Sequence, residues 1–173
     1  MDGFNQRAEI EQVIEALRGS APDSVVISTA FSPMQQDYED ALAARFSAAL
    51  PQIHVCTSHY MGGLGLIERE NAAILNASLL NFAQRVVTAL VRSSQHFGLV
   101  CPVYVSQNDG TLIDLDKVSA FPALTFASGP TNSIRGAGAL TGLSDAIVLD
   151  VGGTPADMGV LKTGFPRQSN LVV

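Results

Sequence analysis

Apolar positions divide the chain into short segments with two distinct periods. Ile10, Val13, Ile14 and Leu17 recur at i, i+3, i+4 and i+7, which predicts an amphipathic helix stopped by Gly19. Ser24 to Ala30 is short and rich in β-branched residues, the pattern of a buried strand. After Ser32-Pro33, Tyr38, Leu42, Phe46 and Ala49 mark one face of a second helix, which Pro51 ends. Ile53 to Cys56 gives a second strand. This helix–strand alternation with short connections predicts an α/β layer with parallel pairing. A glycine-rich loop, Ser58 to Gly65, then feeds the longest helix, about Ile67 to Ser93. Leu75, Leu79, Phe82, Val86 and Leu90 form its expected buried stripe, with Glu68, Arg69, Glu70, Arg85 and Arg92 mostly off it.

A second α/β segment follows. Val100 to Ser106 reads as a strand and Gln107-Asn108-Asp109-Gly110 as a turn, because Asn, Asp and Gly tolerate positive φ. Ala123 to Ala127 is a candidate short strand. Ser128-Gly129-Pro130 opens a helix of small residues, Asn132 to Leu140, which Gly142 closes. Asp145 to Val151 is the strongest strand signal. Gly152-Gly153-Thr154 turns the chain, and Asp157 to Lys162 returns as an antiparallel partner ended by Gly164-Phe165-Pro166. The expected division is 1–95 and 96–173.

With 173 residues, 47% of them hydrophobic, the chain can bury one substantial core or two small ones. A formal net charge of -6 without a basic run argues against nucleic acid or an anionic membrane as partner. The first residues hold no signal core, and no apolar run of membrane-spanning length stands out, so a cytoplasmic protein is expected. Cys56 and Cys101 lie in apolar, strand-like surroundings and are expected as buried free thiols. Neither has a partner at metal-ligand spacing.

Four places could carry chemistry. Leu149-Asp150-Val151-Gly152-Gly153-Thr154 brings a carboxylate to the end of a strand, then two glycines that let backbone N–H groups approach an anion, then a hydroxyl. Asp157 adds a second carboxylate. A phosphate with Mg2+ would use all of these, whereas a plain β-turn would use only the glycines. No Gly-Lys-Ser/Thr follows, so this is not a Walker loop. Ser128-Gly129 at a helix start could hold an anion or could simply cap the helix. Ser106 to Gly110 follows a strand, and the ends at Ser106, Ser128 and Asp150 could converge on one cleft. His59, beside Gly62-Gly63-Leu64-Gly65, is either a general base or metal ligand, or a solvated or structural histidine.

Taken in order, these segments resemble the hydantoinase A/oxoprolinase family. The carrying residues are Ser58-His59-Tyr60, Glu68 to Ala77, Ser106 to Gly110, Ser128-Gly129-Pro130 with Gly136-Ala137, and Asp145 through Asp150-Val-Gly-Gly-Thr154 to Asp157. The resemblance implies the actin-like, RNase-H-like ATPase class, with two lobes, a phosphate hairpin in each, and nucleotide between them. It makes this chain an internal fragment: the end of lobe one, a long connecting helix and the start of lobe two. It implies ATP and Mg2+ as cofactors and ATP-dependent opening of a cyclic amide such as a hydantoin or 5-oxoproline. Related members carboxylate ketones. Gly152, Gly153, Thr154 and Gly129 would contact phosphate, Asp150 and Asp157 would hold metal or orient water, and Ser128 would lie near the reacting groups. A second enzyme subunit or a homo-oligomer is implied as partner. The alternative is a non-catalytic assembly or phosphate-binding module, with the strand edge beside Asp157 open to pairing. Pro155 and Ala156 stand where the family commonly has hydroxyl residues, and the lost N–H and hydroxyl are expected to weaken phosphate binding.

Overall fold

The computed structural model describes residues 3–153 and 156–167. It is mixed α/β and divides into two compact units, between Phe82 and Ala83. In the first unit α1 (Gly3–Ser20), β1 (Ser24–Ile27), α2 (Asp37–Ala49) and β2 (His54–Thr57) follow in order. β1 and β2 pair in parallel, with Ser24 opposite His54 and Ile27 opposite Thr57. Ile14, Ile27, Phe46, Leu50 and Ile53 form the core between the helices and this strand pair. Parallel pairing is what the helix–strand alternation predicts. β1 is shorter than expected, because Thr29 to Gln35 coils into turns with Phe31 at φ 61.

α3 (Leu66–His96) starts in the first unit, and the division between units falls within it. Its buried face differs from the expected stripe. Arg69, Ala73, Asn76, Ala77, Leu80 and Ala83 are buried, while Phe82, Val86 and Leu90 are exposed. Small residues let the helix lie close to its neighbours, so the larger leucine–phenylalanine row points elsewhere. The helix is also more apolar than the sequence reading allowed. An 18-residue window has a mean hydropathy of 1.3, so by length and composition it could cross a membrane. Leucine, isoleucine, valine and phenylalanine interspersed with polar residues produce this value without any continuous run of large apolar residues.

The second unit contains β3 (Tyr104–Ser106), β4 (Leu112–Asp114), α4 (Leu115–Ala120), α5 (Ser128–Thr141), β5 (Ala146–Val151), β6 (Ala156–Lys162) and β7 (Phe165–Pro166). β3 and β4 form an antiparallel hairpin around the expected Gln107–Gly110 turn. Asp109 Oδ1 accepts from Thr111 N at 2.8 Å, and Gly110 sits at φ 87. Residues 100–103 are not a strand: Val100 is fully exposed and Cys101 is exposed rather than buried. Pro102 interrupts any ladder there. The candidate strand at Ala123–Ala127 is instead a 3-10 helix, Pro122–Thr125, closed by extended Phe126, after which Ala127 at φ 56 leads into α5. Proline at the first position of the 3-10 helix presets helical φ. α5 begins at Ser128 and ends at Gly142 (φ 73), as its small-residue pattern predicts.

β5 and β6 form the longest hairpin, with Asp150 opposite Asp157 and Leu149 opposite Met158. Phe165–Pro166 does not merely end it but adds a third strand beside Leu161 and Lys162. β5 is not buried on both faces: Ala146, Val148 and Asp150 are half-buried, and Ile147, Leu149 and Val151 are exposed.

Candidate functional site

The face of the β5–β6 hairpin that carries the acids is fixed by its packing on α5. A Cβ added to Gly159 would collide with the Ile134 side chain, and one added to Gly138 would lie 2.6 Å from Leu161 Cδ2. Gly159 and Leu161 therefore face α5, and so does Asp157 by the two-residue period of a strand. Its cross-strand partner Asp150 shares that face. Moving from Leu161 to Gly159 along β6 corresponds to moving from Gly138 to Ile134 along α5. The first turn of α5 carries Ser128 and Gly129. No side chain caps that turn.

Directly opposed carboxylates repel, which costs stability in the empty hairpin. Asp150 is half-buried, and Asp157, Gly152 and Gly153 are exposed. Open space surrounds Gly153: a Cβ there would meet no described atom within 4 Å. Packing therefore does not require a glycine at that position, which leaves the corner free for a ligand to approach the backbone. Thr154 lies outside the described residues, as does Pro155. Among the described residues, no group of three or more His, Cys, Asp or Glu is arranged to hold a metal. Two carboxylates match in number what Mg2+ takes when phosphate oxygens and water complete its shell.

The start of α5 is joined to the β3–β4 turn. Asn132 Nδ2 donates to Ser106 Oγ at 2.8 Å, and Thr131 Oγ1 donates to the Asn108 carbonyl at 2.9 Å. Two of the three strand-end segments read from the sequence, those at Ser106 and Ser128, are thus brought together.

The first unit contains a polar cluster that sequence reasoning missed. Glu39, on α2, is fully buried. Its Oε1 accepts from Thr29 N (2.7 Å), Thr29 Oγ1 (3.1 Å) and Ser58 Oγ (2.9 Å), and its Oε2 accepts from His59 N (3.0 Å). His59 Nδ1 lies 3.0 Å from Oε2, and His59 Nε2 lies 3.4 Å from Asp40 Oδ1, outside hydrogen-bond geometry. Arg69, equally buried, donates from Nε to Ser58 Oγ and from NH2 to the Thr29 carbonyl. Ser58 therefore relays between the cation and the carboxylate. Burial alone would raise the Glu39 pKa, but hydrogen bonds from His59, Ser58 and Ser32 outweigh it and hold it at about 2.

This cluster makes His59 a structural histidine. Glu39 resembles an ordinary acid of a helix first turn, beside Asp37 and Asp40. One signal was available: extending the β1–β2 register by two residues sets Thr29 level with His59, so both backbone N–H groups can reach one carboxylate. Beside it, an open cleft of about 420 Å³ lies between Ser24, Val26 and Ser28 of the β1 segment and Glu70, Ile74, Ala77 and Ser78 of α3. None of the site residues read from the sequence lines it.

A parallel strand pair, an acid-paired hairpin and an open Gly-Gly corner define an α/β protein with a candidate phosphate site. The chain belongs to the hydantoinase/oxoprolinase family, whose model matches residues 69–172. It is 24% identical to the caprolactamase subunit alpha of Pseudomonas jessenii over 172 residues, 95% of this chain and 25% of that protein. The crystal structure of the ATP-dependent caprolactamase from the same organism shares its fold at TM-score 0.74 and 21% identity, covering 92% of this chain and 26% of that one. Nucleotide-free acetone carboxylase matches at TM-score 0.73 and 20% identity, covering 90% and 23%. The chain thus spans about a quarter of the length of these relatives.

Proposed function

We propose that the chain supplies one phosphate-binding hairpin of an ATP-dependent hydrolase of cyclic amides, working with further polypeptide of the same family. The observation that carries this reading is the Asp150–Asp157 pair on the α5-facing side of the hairpin, next to a glycine corner with open space around it. Opposed acids reduce stability unless a cation sits between them, and a cation-bound phosphate accounts for both the acids and the glycines.

In this reading Asp150 and Asp157 hold Mg2+, and Gly152, Gly153 and Thr154 offer backbone N–H groups and a hydroxyl to the phosphate. Ser128 and Gly129, at the free N-terminus of α5, add dipole stabilisation to the same anion. Bound ATP would supply a phosphoryl group to the amide carbonyl oxygen with loss of ADP, activating the carbonyl carbon for attack by water; the ring C–N bond then breaks with a proton passing to nitrogen, and hydrolysis of the acyl phosphate releases carboxylate and phosphate. The role left to this chain is to position the phosphate and neutralise its charge. A lactam, as in the caprolactamase relative's name, is the substrate class favoured over a ketone, in line with the family match. RNase-H-like lobes and a cytoplasmic setting belong to the same reading. Two free thiols support the latter.

Calorimetric titration of the native chain and of Asp150→Ala with MgATP tests this. Binding by the native chain that the substitution abolishes is expected. Equal binding by both proteins, or none by either, would remove the phosphate site. Because the chain spans only a quarter of its relatives, it is expected to turn over no ATP with a lactam on its own, and measurable turnover would overturn that part.

A further inference from the structure

The His59 side chain is fully buried, and its two ring nitrogens meet different surroundings. Nδ1 lies 3.0 Å from Glu39 Oε2, and Glu39 is a carboxylate with a pKa of about 2. An ionised carboxylate only accepts hydrogen bonds, so Nδ1 carries the proton of that contact. It keeps this proton over the whole range in which a histidine titrates, because Glu39 stays ionised there. Neutral His59 is therefore the Nδ1–H tautomer, with a bare lone pair at Nε2. That atom is buried and has no hydrogen-bond partner. Asp40 Oδ1 stands 3.4 Å from it, on a side chain that is 49% exposed. Two acceptors thus face each other, and a buried acceptor without a donor is costly. A proton at Nε2 turns the same contact into an ion pair, and the half-exposed Asp40 has room to swing into line with it.

We propose that His59 is a pH-responsive clamp, in which protonation at Nε2 alone ties Asp40, on the first turn of α2, to the Ser58–Gly65 loop. The charged groups around the ring are Glu39 and Asp40 of α2 and Arg69 of α3, which reaches Glu39 through Ser58. The Tyr60 ring lies against the imidazole, with centroids 4.1 Å apart. Glu39 and Arg69 offset one another, which leaves Asp40 as the acid that an added proton answers. The loop is already held at several points. His59 N–H donates to Glu39, Met61 N–H donates to the Ser58 carbonyl at 2.9 Å, and Arg69 NH1 donates to the Gly63 carbonyl at 2.9 Å. The clamp adds a tie at the start of the loop that responds to pH. Asp40 favours the charged imidazole. The contribution of this pair is therefore full below the titration of the histidine and is lost as pH rises through it. The cluster lies in the first unit, and the inference stands whether or not the hairpin binds phosphate.

Long-range proton–nitrogen magnetic resonance of the isotope-labelled full chain reads both ring nitrogens of His59 from about pH 5 to about pH 8. At the alkaline end the Nδ1–H tautomer is expected, and on acidification only Nε2 should gain a proton. These two results need no variant to fold. In Asp40→Asn the midpoint should fall by about one unit, with the alkaline tautomer unchanged. Asp37→Asn removes another acid of the same helix turn and should leave the midpoint in place. Exchange of the Met61 amide, corrected for its intrinsic pH dependence, should slow as native His59 takes up its proton and should not slow in Asp40→Asn. An Nε2–H tautomer at alkaline pH, a ring that does not titrate in this range, or equal midpoints in the native chain and Asp40→Asn would each overturn the proposal. So would an Asp37→Asn shift as large as that of Asp40→Asn, or a Met61 exchange rate indifferent to the proton.

Discussion

Replacing Glu39 by Gln keeps the shape of the side chain and removes its charge. In the native chain the carboxylate takes hydrogen bonds from Thr29, Ser58 and His59 and is held at a pKa of about 2, against an ordinary 4.5. A difference of about 2.5 units corresponds to about 3 kcal/mol of stability at neutral pH. The Glu39 side chain is enclosed by Thr29, Ser58 and His59, which limits solvent screening of the charge. Glu39→Gln also leaves an amide N–H facing donors and Arg69 without its relayed counter-charge, so a loss of about 3–5 kcal/mol is expected. Because the folded pKa is depressed, the contribution is fully present above pH 4.5 and is lost as pH falls toward about 2. Urea unfolding followed by hydrogen exchange at the β1–β2 amides reports the first unit alone. The gap between native and variant should be about 3 kcal/mol or more at pH 7 and shrink markedly at pH 3. A gap under about 1 kcal/mol at pH 7, or one that does not change with pH, would refute the argument that this carboxylate holds the two strand ends together.

Asp157→Asn should stabilise the chain by about 0.2–1 kcal/mol without Mg2+, since it removes a like-charge cross-strand pair, while abolishing any Mg2+-dependent rise in melting temperature; a thermal melt with and without the ion reads both effects. Gly159→Ala should destabilise by about 1–3 kcal/mol, because its methyl overlaps the buried Ile134 side chain and forces it out of its packed position; urea unfolding of this variant is the check. Thiol labelling should show Cys101 reacting fast and Cys56 slowly, since Cys101 is exposed whereas burial raises the Cys56 pKa, with a smaller opposing effect from an Asn76 hydrogen bond. Equal labelling rates would contradict that assignment.

Local signals in the sequence were enough to place the hairpin and the helix before it. Gly142 ends α5 because only a residue at ease in the left-handed region completes that turn, and the Asp145–Lys162 stretch pairs as its alternation implies. That Asp150 ends one strand and Asp157 starts the next was equally legible, because only six residues separate them, whereas their facing register was not. Long-range features were not. Glu39 and Arg69 look like solvent-facing charges of two helix first turns, and only their meeting with Thr29 and Ser58 makes them interior residues. The buried face of α3 is set by close approach at Ala73 and Ala77 rather than by side-chain size, which the spacing of its large apolar residues does not reveal. Ala123 to Ala127 has the composition of a strand, but Pro122 had already set a helical turn.

The assignment of the glycine corner as an anion site is tested most directly by nuclear magnetic resonance of the isotope-labelled chain, read at the Gly152 and Gly153 amides during titration with Mg2+ and inorganic pyrophosphate. We expect both amides to shift in a saturable way only when ion and phosphate are present together, and to stay still in Asp150→Asn. Unmoved glycine amides in the native chain, or the same shifts in Asp150→Asn, would contradict the account and leave the corner as a turn.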